Sequence, residues 1–249
     1  MKNQTLILGI GNILWADEGF GVRAVEQLNQ DYWFPDNVTL MDGGTQGIYL
    51  VHHVQQCNIL VVFDAIDYGL PPGSIKLIEG DAVPKFMGAK KMSLHQTGFQ
   101  EVLAMAEMLG KYPDHLLLVG VQPVQLEDFG GSLRDKTRQQ IKPAIEAALQ
   151  WLQQFDVHAH RREEPLPPEQ TLAGYEVSMQ TYEAGRLPPE AACRIGDDRI
   201  LKSPGFHVEY RPHPLQGEAT LSCDVDHRGK YPEPELNIAP ADSTVQGSK

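Results

Sequence analysis

The first 156 residues predict an α/β protein built on a mostly parallel, five-stranded twisted sheet. Strand-length apolar runs alternate with segments of helical period. The runs are apolar on both faces, which requires a sheet covered on both sides. Polar residues bunch directly after the runs, where such sheets build their sites. Thr5–Gly11 (TLILGIG) is a buried strand closed by glycines. Gly21–Leu28 carries Val22, Val25 and Leu28 at helical spacing. Val38–Asp42 (VTLMD) is the second strand, closed by Gly43 and Gly44, and Ile48–Val54 reads as a short helix. Asn58–Ala65 (NILVVFDA) and Ser74–Glu79 (SIKLIE) are the third and fourth strands. Phe99–Leu109 is helical, with Phe99, Leu103, Ala106 and Leu109 on one stripe. His115–Pro123 is the fifth strand. Leu133–Phe155 reads as one helix, with Ile141, Ile145, Leu149, Leu152 and Phe155 inward and Pro143 kinking its early part.

A length of 249 residues allows one large or two small domains at roughly 150 residues each. Composition divides the chain near residue 156. Residues 157–249 hold 11 of the 18 prolines, and stretches such as PLPPE, YRPHPLQ and KYPEPEL break any periodic pattern. The expectation is an α/β domain over 1–156 and a Pro-rich, acidic, largely irregular extension over 157–249. Short structure is expected there only around Ala191–Leu201. The terminal PADSTVQGSK reads as disordered.

The net charge of −12 disfavours nucleic acid as a partner, because phosphate backbones repel an acidic chain. No run approaches the roughly 18–20 apolar residues of a membrane span. MKNQTLILGIGN enters a strand with no signal-peptide architecture, so a cytoplasmic chain is expected. Cys57, Cys193 and Cys223 lack CxxC spacing, which argues against a zinc ribbon or disulfide framework. Cys57 precedes a buried strand and reads as a small hydrophobe.

Four polar clusters follow strand ends and are expected to converge. GNILWADEGFGV carries Asp17 and Glu18, DGGTQG carries Asp42 and Thr45, Asp64 ends the third strand with Asp67 close behind, and KKMSLHQTG carries His95. Gly9-Ile10-Gly11 reads either as a tight strand exit or as a weak dinucleotide motif. Leu14 stands where that motif needs its third glycine, and a long loop keeps the next helix from a pyrophosphate. Asp42 before two glycines reads as an Asx-turn former or as a functional acid, and Asp17 as a cap for the following helix. Asp64 closes five apolar residues, so its carboxylate needs donors or a cation. His95 by itself reads as a surface or core-edge histidine. Two carboxylates and an imidazole at one crevice would suit a borderline divalent ion such as zinc, nickel, manganese or iron. HExxH and GxSxG are both absent.

GIGNILWADEGFGV, DGGTQG, FDAID, SLHQTGFQEVL and LLLVGVQP, in that order over about residues 4–155, resemble the nickel-iron hydrogenase maturation proteases. The resemblance implies a three-layer α/β/α sandwich. It implies an endopeptidase that trims a short C-terminal peptide from the nickel-loaded precursor of the hydrogenase large subunit. Glu18, Asp64 and His95 stand at the family's metal-contacting and catalytic positions. Nickel would come with the substrate, or another divalent metal would bind the isolated protein. Asp64 is a candidate general base of an aspartyl-type mechanism. Asp42, Gly43, Gly44 and Thr45 form the family's turn and are candidates for substrate recognition. A non-catalytic nickel-checking chaperone and, more remotely, a nucleotide-binding α/β enzyme are the alternatives.

Overall fold

The computed structural model describes residues 3–84, 94–126, 128–164, 166–167 and 170–185. Its strands are β1 (Thr5–Ile10), β2 (Tyr32–Trp33), β3 (Val38–Gly44), β4 (Ile59–Ala65), β5 (Ile75–Glu79), β6 (His115–Val121) and β7 (His160–Arg161). Five form the central sheet, in the order β3-β1-β4-β6-β5. Only β5, at the edge beside β6, runs antiparallel. Each of the five expected strands is present.

Every residue of β1 and β4 is buried, so each strand feeds two cores. Ile7, Ile59, Val61 and Phe63 face one side. There they meet α1 (Phe20–Asp31) and, further along the chain, the helix Ile141–Leu152. Leu6, Leu8, Leu60 and Val62 face the other side, against α2 (Val51–Val54) and α3 (Leu94–Met108). Each fully buried Leu, Ile, Val or Phe contributes about 1.5–3 kcal/mol relative to exposure, so the two cores hold the layers together.

The predicted single helix Leu133–Phe155 is two helices, α4 (Asp135–Arg138) and α5 (Ile141–Leu152). Pro143 lies in the first turn of α5, where a helix needs no N–H. The break therefore precedes the proline, at Gln139–Gln140, and no kink follows from it.

The chain packs on beyond the compositional boundary at residue 156. Val157 joins the core on the α1 side. β7 pairs antiparallel with β2, and the His160 ring stacks on Trp33. Arg162 closes the C-terminus of α1: its Nε donates to the carbonyls of Asn29 and Tyr32, and its N–H to that of Asp31. A cation there also meets the negative end of the helix dipole. α6 (Met179–Ala184) is capped by Ser178, whose Oγ accepts from the Thr181 N–H. Ala191–Leu201, the other candidate for short structure, lies outside the described residues.

A buried ion pair fastens this segment. On α1, Arg23 Nη1 donates to Glu26 Oε2 at 2.7 Å and to the Val177 carbonyl at 2.7 Å. Glu26 Oε1 accepts the Met179 N–H at 2.8 Å, and the Arg23 guanidinium lies over the Tyr182 ring. Removing one partner of such a pair strands the other charge, at about 3–5 kcal/mol. Glu26→Ala should therefore lower stability by roughly 3 kcal/mol in urea denaturation. It should also open residues 173–184 to limited proteolysis. A variant as stable and as protease-resistant as the parent would show that the pair does not hold the segment.

Candidate active site

The site is set by where β1 and β4 lie. From β1 the chain crosses through α1 to β3 on one side, while β4 continues towards β6 on the other. The carboxyl ends of β1 and β4 thus flank the point where strand order reverses, the expected place for a crevice. Glycines bring α1 onto these ends. A Cβ on Gly21 would stand 2.1 Å from the Phe63 carbonyl oxygen and 2.2 Å from that of Ile10. No side chain fits there, and the helix backbone lies directly against both strands.

Gly11 turns the chain after β1 at φ +139°, and a Cβ there would stand 1.8 Å from the Glu18 carbonyl oxygen. That oxygen accepts the Asn12 N–H, so the loop folds back and sets Glu18, half-buried, beside the strand end. The glycines of the GxG string therefore serve close backbone packing, as the strand-exit reading has it. Ala16 is held at φ +42°, a left-handed conformation costing a non-glycine residue about 1–2 kcal/mol. Its N–H donates to the Gly131 carbonyl.

Asp17 does not cap α1. Its buried carboxylate accepts the N–H groups of Val124 and Gln125 on one oxygen and of Arg134 on the other, at 2.7, 3.0 and 2.7 Å. It ties the loop after β6 to the loop that carries Glu18. Of the two acids of the D-E pair, Asp17 thus belongs to the scaffold, and Glu18 is half-buried beside the end of β1.

Asp64 is fully buried at the end of β4, opposite Gly120 of β6. Its Oδ1 accepts the Ala65 N–H at 2.8 Å. Beside it, Tyr68 crosses Gly120 so closely that a Cβ there would stand 2.6 Å from the phenol oxygen. Burial, and then the Asp64 charge, push the Tyr68 phenol well above its ordinary range. Gln122 fixes this loop: its Oε1 accepts the N–H groups of Tyr68 and Leu70, and its Nε2 donates to Asp67. Sequence reasoning passed over Gln122 and Tyr68. The available signal was a glutamine just past the buried fifth strand, level with the loop behind Asp64.

Asp42 ends β3 across from Gly9 of β1, and its Oδ1 accepts the Gly44 N–H at 2.9 Å, an Asx turn. Burial raises its carboxyl above the usual range, opposed by the Gly44 hydrogen bond and the Arg23 charge. The folded state therefore holds the Asp42 proton more tightly than the unfolded chain, and stability falls as pH rises through the raised value. Asn keeps the acceptor without the charge. Asp42→Asn should flatten this part of the pH–stability curve and be no less stable at pH 7, read by thermal melts from pH 4 to 8. A variant clearly less stable at pH 7 would show that the charge itself is needed. Gly43 is buried against Leu8, and Thr45 is exposed.

His95 lies in the first turn of α3, not in a preceding loop, and its side chain lies outside the described residues. That turn is close to the DGGTQG segment, because a Cβ on Gly98 would stand 3.4 Å from the Gly47 Cα. The fold brings the segments bearing Glu18, Asp42, Asp64 and His95 to one end of the sheet. Among the described residues no three His, Cys, Asp or Glu side chains form a metal-holding group. Of the three donors that the resemblance implies, Glu18 and Asp64 are among the described side chains and His95 is not. Cys57 donates its thiol to the Val54 carbonyl, and burial pushes that thiol up to about 12, which leaves no thiolate nucleophile there.

The sheet is wound in both directions, with Asp42 and Asp64 near the carboxyl ends of β3 and β4 and Glu18 on the loop after β1, the arrangement of an α/β fold with its candidate site at the reversal point. The hydrogenase maturation protease family model matches residues 22–151. The hydrogenase expression/formation protein HupD of Thiocapsa roseopersicina is 62% identical over 200 residues, 80% of this chain and 90% of that protein. HoxM of Azotobacter vinelandii is 60% identical over 196 residues, covering 79% and 93%. The solved hydrogenase maturating endopeptidase HybD of Escherichia coli superposes with a TM-score of 0.61 at 39% identity, covering 65% of this chain and 98% of that one. The chain belongs to the hydrogenase maturation protease family, and is accordingly a peptidase, a hydrolase. A match of 200 residues must run past residue 156, so HupD shares part of the segment beyond the compositional boundary.

Proposed function

We propose that this protein removes a short C-terminal peptide from the nickel-loaded large-subunit precursor of a nickel-iron hydrogenase, reading the nickel through Glu18, Asp64 and His95. The observation that carries this reading is Asp64: a fully buried carboxylate at the end of β4, beside the loop that bears Glu18. A buried carboxylate needs donors or a cation, and an ion shared by Asp64 and Glu18 would meet both charges. Two carboxylates and an imidazole suit nickel among the divalent ions, and another divalent metal would bind the isolated protein by the same groups. The precursor's nickel supplies positive charge beside the scissile carbonyl. Asp64 accepts the proton of the attacking water and passes it to the departing amine. Asp42, Gly43, Gly44 and Thr45 form the turn that receives the substrate chain. None of the described helices is long and apolar enough to cross a membrane, which fits a cytoplasmic site of action.

The test is mass spectrometry of nickel-loaded precursor incubated with this protein. Loss of a defined C-terminal peptide is expected. A stable complex with an uncut precursor would instead make the protein a nickel-checking chaperone.

A further inference from the structure

Of the eleven exposed large apolar side chains among the described residues, six stand at one end of the sheet, the other five being Trp33, Leu77, Met108, Leu109 and Val177. Leu14, Ile48, Tyr49, Leu70, Val124 and Phe129 are all on loops that leave the carboxyl ends of the parallel strands β1, β3, β4 and β6. These loops also carry Glu18, Asp42 and Asp64 or adjoin them. From these positions we infer that the six side chains form an apolar rim around the candidate site, and that it docks an apolar surface of the folded precursor next to its scissile segment. The inference rests on the proposed function only in taking the precursor as the occupant.

The rim is held in place, unlike loose loop apolars. Tyr49 is 80% exposed, yet its turn is anchored by buried Leu50 and Val51 and by the approach of Gly47 to Gly98 of α3. The Tyr49 backbone is therefore held close to the helical turn that carries His95. On the loop after β6, Phe129 packs edge-on against Trp15, with ring centroids 5.4 Å apart. The Gly130 N–H donates to the Leu14 carbonyl at 2.7 Å, and Arg134 pairs with Asp128. Asp17 fastens the same two loops together. Aromatic side chains held rigid while exposed lose little entropy on binding, the usual property of interface anchors.

Charge favours the same occupant chemistry. The chain carries −12, so it gains little from electrostatic steering unless the partner is strongly basic, whereas burial of an apolar rim does not depend on salt. Placement at the site also discriminates between partners. A second copy of this chain seated on the rim would cover Glu18 and Asp64, and activity would then fall as protein concentration rises.

The experiment compares Tyr49→Ser, Phe129→Ser and the double variant with the parent chain. It measures the Kd for nickel-loaded precursor by biolayer interferometry, and KM and kcat for its cleavage. Each single variant should raise Kd and KM about tenfold and leave kcat within about twofold. The double variant should approach the product of the two effects, and 0.5 M salt should leave the parent's Kd unchanged. Met108→Ser, an exposed apolar residue at the far end of α3, is the control and should bind as the parent does. Wild-type Kd in the rim variants, equal losses at Met108, a Kd that weakens steeply with salt, or parent activity that falls with its own concentration would overturn the inference. Because binding and cleavage are read separately, weakened rim binding to a precursor that stays uncut would uphold the rim while overturning the proposed cleavage of that precursor.

Discussion

Asp64→Asn is expected to abolish precursor processing, by about a thousandfold or more, while leaving the protein at least as stable as before. The two halves of this result have one cause. Asp64 is fully buried and its Oδ1 accepts the Ala65 N–H, a bond the amide oxygen of Asn can also accept. Folding therefore keeps that hydrogen bond and no longer has to desolvate a carboxylate. On the proposed function, processing loses both the charge that would meet the precursor's nickel and the base that would take the water's proton. Cleavage rates by mass spectrometry, beside thermal melts of both proteins, give the comparison. A variant that cleaves normally would remove Asp64 from the chemistry. A variant that is inactive because it is unfolded would make Asp64 a residue of the scaffold.

Gly21→Ala should produce the opposite pattern, in which the fold fails before the chemistry. The added methyl would meet the carbonyl oxygens of Phe63 and Ile10, and both belong to strands that cannot move without tearing the sheet. Overpacking against side chains costs about 1–3 kcal/mol. Against fixed backbone a loss of about 4 kcal/mol or more is expected, a large part of a typical domain's 5–15 kcal/mol. Urea denaturation and soluble yield provide the measurement. A soluble Gly21→Ala protein with the parent's midpoint would mean that α1 can move away from the sheet, and that the glycine is not what sets the crevice.

The strands and the acidic strand ends were legible in the sequence because they are local patterns. Ile59–Phe63 is apolar on both faces, which a parallel sheet requires, and a carboxylate directly after such a run announces itself. What stayed hidden depends on contacts between distant positions. Asp17 looked like a helix cap because its amide donors come from Val124, Gln125 and Arg134, more than a hundred residues later. Nothing local marks Arg23 and Glu26 as buried, since their partners at Val177 and Met179 lie about 150 residues on, in a segment with no periodicity to reveal the contact. The early start of α3 was equally unreadable, since Leu94–Gly98 precedes the apolar stripe that marks the helix. The break before α5 falls at Gln139–Gln140, residues that favour a helix locally, so the proline drew attention to the wrong place.

On the proposed function, Glu18, Asp64 and His95 read an ion brought by the substrate. A reconstituted assay with three arms tests it most directly: apo precursor with metal-charged protein, apo precursor with free nickel salt, and nickel-loaded precursor. Cleavage is predicted only in the third arm, because the ion must sit among the precursor's own ligands to bring the scissile bond to Asp64. Efficient cleavage of apo precursor by the metal-charged protein would contradict the account, and would make this chain a metalloprotease that carries its own ion.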